Sequence, residues 1–344
     1  MGAGRSGATN RRLLRYSHSA EHDIPCHDCA LLFTTPPPIG RTLTSQAQLF
    51  ESYTDAPEDS APSDKPRKPG NTRVTGKEQF YTPPDIADRV LSLLTRTSPD
   101  WTSTPFLEPA GGTGTFIDAA RRHGVTEVHS WDIEPHHPEV ARGNFLMQSL
   151  RFRGATCATN PPFGRNNALA IPFFNHAAPA CDTIAFIVPR SWRKWSVINR
   201  LDQDFTLVED VDLKINYLDA HGRDVHAFDK LRTCIQIWSR QGRRRPKYSV
   251  EDRGLIARTS PDEADVALTI FGYSCGTVST EFERRKVTTQ MYLKLKDARA
   301  LDALQSVDFS RFFLHTAYTE ALSIKEINYL INEHVFGDPG LLET

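Results

Sequence analysis

The sequence predicts an α/β protein, a mostly parallel sheet with flanking helices, followed by a smaller C-terminal α+β module. Three observations carry this. From Gly76 onward, short apolar runs bounded by Gly, Pro or Asn alternate with segments of helical periodicity. One run leads straight into a glycine-rich turn and an amphipathic helix. After Arg240 the alternation stops, and a mixed strand and helix pattern takes over.

Taken in order, residues 1–71 read as a weakly ordered arm, because "TTPPPIG" and "DAPEDSAPSDKPRKPGN" are rich in Pro, Ser, Gly and charge and offer little to bury. Residues 72–240 form the sheet domain. Its first helix is "DIADRVLSLLTR", and its strands are "PFLEPA", "EVHSWDI", "GATCATN", "DTIAFIVP" and "CIQIWSR". Residues 241–344 form the second module, with strand-like alternation in "ADVALTIFGYSCGTVSTEF" and helical spacing in "SIKEINYLINEHVF". No solenoid or propeller period is present.

Bulk composition sets the bounds. A chain of 344 residues has interior enough for an enzyme site, and 39% hydrophobic with 24% charged residues is ordinary for a globular protein. No apolar run reaches the length of a membrane span, so a soluble protein is expected. Cys26, Cys29, Cys157, Cys181, Cys234 and Cys275 lack the spacing of a disulfide scaffold, which fits a reducing cytoplasm. His22, Cys26, His27 and Cys29 resemble half of a zinc site, but no second ligand pair follows, and no metal is expected. With a net charge of −1, any polyanion must be held by local clusters. There are three: Arg190, Trp192, Arg193 and Lys194; Arg243, Arg244 and Arg245; and Arg284, Arg285 and Lys286. Each alone reads equally as solvated surface.

"FLEPAGGTGTFIDAARR" (Phe106 to Arg122) joins a strand, a glycine turn and a helix. Gly111, Gly112 and Gly114 admit positive φ and the close approach of a ligand to the main chain. About twenty residues on, Asp132 ends the next strand as a partner for two ribose hydroxyls. The turn departs from the dinucleotide fingerprint, since Phe116 and Ile117 stand where a third small residue belongs. Glu108 would repel phosphates and attract an ammonium or sulfonium, a description met by S-adenosylmethionine. In "GNFL", Asn144 offers an amide and Phe145 a ring for its adenine, although Phe145 reads as well as core.

The stretch "ATNPPFG" follows the fourth strand and so lands at the same sheet edge. Pro162 holds Pro161 extended and fixes its carbonyl, Asn160 adds a second acceptor beside it, and Phe163 follows with a ring. Two acceptors converging on one point suit a planar amino group. An extruded base would present that group, stacked on Phe163.

These residues resemble the amino-group DNA methyltransferases, in the gamma order with the cofactor motif before the catalytic one and the recognition module last. The resemblance covers Gly76 to Arg240. It implies a Rossmann-like class I methyltransferase sheet, S-adenosylmethionine as cofactor, and the N(6) amino group of a flipped adenine as target. Asn160, Pro161, Pro162 and Phe163 match the [N/D]-P-P-[Y/F/W] signature. Tyr81, Thr82 and Pro83 would line the methionine end, with Glu108, Pro109, Ala110, Gly111, Gly112, Gly114, Asp132 and Ile133 around the rest and Asn144 with Phe145 at the adenine. Asn144 stands where the family more often has aspartate. Double-stranded DNA is the implied partner, held by the basic clusters, and a separate restriction endonuclease is a compatible one. RNA adenine, the cytosine amino group, a glutamine amide, and a binding protein without activity are the alternatives.

Overall fold

The structure, a computed structural model, describes residues 80–219, 221–226 and 231–344. The His22, Cys26, His27 and Cys29 cluster and the 1–71 arm lie outside the described residues. Among the described residues, nine strands belong to the first part: β1 (Phe106–Glu108), β2 (Val128–Asp132), β3 (Ala141–Arg142), β4 (Ala155–Thr159), β5 (Cys181–Pro189), β6 (Phe205–Leu213), β7 (Tyr217–Leu218), β8 (Asp224–His226) and β9 (Thr233–Arg240). Seven of them make one sheet in the order β3-β2-β1-β4-β5-β9-β6, in which β9 alone runs antiparallel to its neighbours. This is a Rossmann-like α/β sheet. β7 and β8 form a separate hairpin, inserted between β6 and β9.

Each face of the sheet carries its own core, as the two-residue period of β5 makes plain. Ile184, Phe186 and Val188 join Leu107, Cys157 and Trp238 on one side, under helix α3 (Ala170–Ala177). Ala185 and Ile187 join Phe106, Ala158 and Ile235 on the other, under helices α1 (Pro84–Thr97) and α2 (Thr115–Arg122). Apolar spacing sets α1 on the sheet through buried Ile86, Val90, Leu91 and Leu94, and Pro84 starts it where a missing N–H costs nothing. Full burial of such a side chain contributes about 1.5–3 kcal/mol.

Four of the nine strands, β3, β6, β7 and β8, have no counterpart in the sequence reading, and β6 is the longest of them. β6 carries Glu209, Asp210 and Asp212, and most of it is only half-buried because it is the sheet edge. Edge strands tolerate charge, so the apolar signature is weak there.

In the second module, β10 (Tyr248–Val250) pairs with β15 (Leu341–Glu343), and β11 (Ile256–Arg258), β12 (Val266–Thr269), β13 (Val278–Ser279) and β14 (Gln290–Leu295) form an antiparallel sheet ordered β11-β14-β12-β13. Helices α4 (Ala300–Ser306) and α5 (Ile324–Phe336) cover it, burying Ala303, Leu304, Ile327, Leu330 and Ile331. Ser323 and Glu326 close a capping box at the start of α5, and Gly337 ends it at φ 69°. The two parts pack into one compact unit. Lys194 Nζ pairs with the buried Glu326 at 2.7 Å, Arg232 with Glu320, and Trp195 packs between Phe312 and Tyr329 at 5.5 and 5.4 Å.

Candidate active site

β1 and β4 lie side by side where the sheet order reverses, so the crevice beyond their carboxyl ends is where this architecture accommodates a ligand. A small, solvent-open pocket lies there, walled by Phe80, Tyr81, Glu108, Gly111, Phe116 and Asn160. Thr82 and Ala110 line it as well. Residues from the chain segment before α1, from the glycine turn and from the end of β4 therefore share one cavity.

The glycine turn is shaped by the protein's own side chains as much as by any ligand. Gly112 and Gly114 take φ of +45° and +80°, and a Cβ would sit 2.5 Å from the Tyr81 ring at the first and 2.3 Å from His137 at the second. Gly111 does not adopt positive φ; its Cβ would press on Ser130 Oγ at 2.3 Å. Asp132 closes the turn from β2: its carboxylate accepts the Gly112 N–H at 2.9 Å and the Glu134 N–H at 2.8 Å. A carboxylate offers about four acceptor positions, so two remain for hydroxyl groups. Burial, more than the neighbouring charges, moves its pKa upward.

Tyr81 lies over Gly112 with its ring edge toward His136, centroids 6.0 Å apart. Its phenol is pushed up to about 12 by burial and then by Asp132 and Glu134, so it stays protonated. The main chain of Tyr81 is tied down by two hydrogen bonds with Leu218, each 3.0 Å. Thr82 is buried, while Pro83 serves as the N-cap residue of α1, outside the pocket wall. Pro109 is buried behind the turn, and Ile133 projects beside Asp132, half exposed.

Glu108 ends β1 at 1% exposure. It accepts hydrogen bonds from the Thr159 hydroxyl and, at 3.3 Å, from the Ala110 N–H. Burial nonetheless holds its carboxyl well above the usual carboxylate range. A buried acid with two donors and no strong positive charge beside it suits a cationic group arriving in the pocket.

Asn160 supplies the most informative geometry. Its Nδ2 donates to the Phe80 carbonyl at 2.8 Å, which fixes the plane of the amide. Its Oδ1 is buried and has no hydrogen-bond partner. Buried amide oxygens are rarely left unsatisfied, so an orphan acceptor on a cavity wall marks where a donor belongs. Pro161 is buried and Pro162 half-buried beside it.

Several expected site residues are placed otherwise. The Phe163 ring, expected to stack on a base, is 8% exposed and packs into the core with α1 and Tyr217, so it presents no open face. Phe145, offered for adenine, is 2% exposed and wedged among Trp131, Phe173 and His176. It belongs to the core. Asn144 Oδ1 is engaged with the Leu146 N–H at 3.0 Å, capping a short turn, which leaves only its Nδ2 for an incoming ring.

The basic clusters divide. Trp192 is fully buried against Phe174 and Phe186. Arg190 pairs with Asp212 at 2.8 Å, Arg193 with Asp210 and Asp212, and Lys194 with Glu326. Arg245, at 4% exposure, donates to the carbonyls of Ile198, Leu201 and Phe205. These are internal ties, not a polyanion surface. Their carboxylates and carbonyls come from β6, α5 and the loop before β6, far enough along the chain to hide the pairing from a sequence reading. Arg243, Arg244, Arg284, Arg285 and Lys286 are exposed, with Arg244 also donating to Gln203.

Two further residues shape the site without standing out in the sequence. Phe80 fixes Asn160 through a main-chain carbonyl, which no side-chain pattern can announce. Thr159 does carry a signal, being a hydroxyl in a fully buried strand immediately before Asn160.

No family profile matches the sequence. Among curated proteins, the type II methyltransferase M.HincII of Haemophilus influenzae is 29% identical over 90 residues, covering 25% of this chain and 17% of that protein. The chain therefore spans only a small part of the relative it matches. Among solved structures, the type I restriction enzyme EcoKI M protein aligns at 16% identity and a TM-score of 0.35, over 47% of this chain and 44% of that one. The 23S rRNA methyltransferase ErmE aligns at 18% identity and a TM-score of 0.31, over 48% and 71%.

Proposed function

We propose that this chain is an S-adenosylmethionine-dependent methyltransferase acting on DNA, with the exocyclic N(6) amino group of an extruded adenine as its target. The observation that carries the reading is the buried, partnerless Oδ1 of Asn160 on the wall of the glycine-turn pocket. The likeness to M.HincII over 90 residues supports DNA as the substrate class.

The residues present fit the cofactor. Asp132 keeps acceptor capacity for the ribose hydroxyls, Glu108 offers a buried carboxyl to a positively charged group, and Tyr81 with Thr82 bounds the methionine end. When bound, the cofactor supplies an electrophilic methyl on a sulfonium. Asn160 Oδ1 and the Pro161 carbonyl accept the two N–H bonds of the target amine and turn its lone pair away from the ring. Their dipoles are arranged beforehand and stabilise positive charge as it develops on nitrogen. No strong base is needed, because the proton becomes acidic only after transfer and leaves through those oxygens to water.

A duplex encloses its amino groups, so the target must leave the stack. Neither Phe163 nor Phe145 is open to receive it, and the enzyme in this conformation acts through the polar clamp. The deciding experiment transfers tritium from labelled S-adenosylmethionine to duplex DNA, ribosomal RNA and protein, followed by nucleoside mass spectrometry. Expected is N(6)-methyladenine in DNA, lost in Asn160→Ala. Label confined to RNA or protein refutes the substrate; no label from a protein that binds the cofactor refutes the activity.

A further inference from the structure

At one end of the β11-β14-β12-β13 sheet the molecule exposes an aromatic turn. β12 runs on through Ile270, whose N–H reaches Thr289 O at 2.9 Å, and the chain then reverses at residues 271–276 before β13. Tyr273 stands at the tip, 101% exposed, with Phe271 at 46% beside it. The turn is not slack. Gly272 N–H donates to Glu320 O at 3.1 Å, Cys275 N–H to Gly272 O at 2.9 Å and Gly276 N–H to Thr269 O at 2.8 Å. A large ring is thus held in water on a fixed support.

The loop feeding β14 reaches the same end. It carries the exposed Arg284, Arg285 and Lys286, none of them in an ion pair among the described residues, together with the exposed Glu281 and Glu283. The Tyr292 hydroxyl accepts from Arg285 N–H at 2.7 Å and donates to Arg285 O at 2.9 Å, and Gln290 N–H reaches Lys286 O at 3.1 Å, which fixes the loop against β14. This end of the module is also tied to the carboxyl edge of the large sheet. Glu320, which holds Gly272, pairs through its carboxylate with Arg232, and Arg232 O accepts the Arg190 N–H just past the carboxyl end of β5.

We propose that Tyr273 is a wedge that enters a DNA duplex beside the target base, with Arg284, Arg285 and Lys286 seated on the adjoining phosphates. This rests on the function proposed above and adds to it the device that opens the stack. Inserted side chains unstack a base step and repay the cost through their own stacking and through extra backbone contacts. Because the main chain under the ring is already fixed, insertion costs the side chain's own rotamer freedom but no ordering of the turn. The two rings expected to receive a base, Phe163 and Phe145, are both buried.

The test uses the full chain and its own methylation site, located by modification-aware sequencing of DNA from an expressing host. Two short duplexes carry that site, one fully paired and one with the target base opposite an abasic position, where the stack is already open. Tyr273→Ala is expected to slow methylation of the paired duplex roughly ten- to hundredfold. On the abasic duplex it stays within about threefold of wild type, and Tyr273→Phe keeps both rates near wild type. Equal rates for Tyr273→Ala and wild type on the paired duplex overturn the wedge, as does an equal loss on both duplexes, which would mark a contact that only positions the backbone. If the wild type methylates neither duplex, the underlying function fails instead, and the two failures are told apart by that control.

Discussion

Replacing Asn160 by alanine removes two interactions of different kinds, and the structure separates their effects. The first is the Oδ1 acceptor, unpartnered in the free protein and, under the proposed function, the partner of the target amine. An acceptor of this sort, engaged mainly in the transition state, contributes about 3–4 kcal/mol, or 10²- to 10³-fold in kcat. The second is the 2.8 Å bond from Nδ2 to the Phe80 carbonyl, a neutral, partly buried hydrogen bond of about 1 kcal/mol. Its loss frees the segment whose next residue, Tyr81, covers the glycine turn, so cofactor affinity falls about fivefold. Single-turnover methyl transfer together with calorimetric titration of the cofactor measures both. Asn160→Asp keeps an acceptor at Oδ1 but sets its second oxygen against the Phe80 carbonyl, and falls between wild type and alanine. Methyl transfer by Asn160→Ala within about threefold of wild type would refute the transition-state role, and so would a drop in cofactor affinity as large as the drop in turnover.

Under the proposed function, Glu108 should make cofactor affinity depend on pH. Burial raises its pKa above the ordinary 4.5, so the free protein holds the proton over a window above that value. A cation seated beside it favours the carboxylate, so binding releases a proton and affinity rises with pH until the free-protein pKa is passed. The same shift makes Glu108 favour folding most below 4.5, a contribution that fades as pH rises through the raised value. Titration calorimetry in buffers of different ionisation enthalpy tests this: Glu108→Gln should bind more weakly at high pH and show no slope, and a wild type with flat affinity from about pH 5 to 8 contradicts it. Gly112→Ala sets a Cβ 2.5 Å from the Tyr81 ring at positive φ, so cofactor binding should fall at least tenfold while the far-UV spectrum is kept. Arg245→Ala leaves the carbonyls of Ile198, Leu201 and Phe205 without their buried donor, and unfolding free energy should drop on the order of 3 kcal/mol. Its DNA affinity should not change, whereas a phosphate-binding role would lower it. Replacing Arg284, Arg285 and Lys286 together by alanine should reduce the salt dependence of DNA binding, by about 0.9 in logarithmic slope for each phosphate no longer neutralised.

What the sequence disclosed was mostly local. Five strands and the first helix follow from apolar runs, and the glycine turn with Asp132 lies within 26 residues of Phe106 along the chain, close enough for spacing to speak. Asn-Pro-Pro-Phe announced rigid acceptors because proline restricts the backbone wherever it occurs. The misreadings share one cause. Arg190, Arg193, Lys194 and Arg245 looked like free charge because their partners Asp210, Asp212, Glu326 and the carbonyls before β6 are brought to them only by folding. Phe163, Phe145 and Trp192 looked available because an aromatic ring reads alike whether it will meet a ligand or its own core. β6 escaped notice since an edge strand need not be apolar.

The link between Lys194 and the buried Glu326 has a mechanical side. Together with Arg232 and Glu320 it ties the sheet domain to the segment leading into α5, so a movement of the C-terminal module away from the sheet would have to break two ion pairs. Under the proposed activity these pairs oppose a jaw-like closure around the target. Bending, kinking and base extrusion must then be borne by the nucleic acid, and sites that deform easily will be modified faster than stiff ones bearing the same contacts.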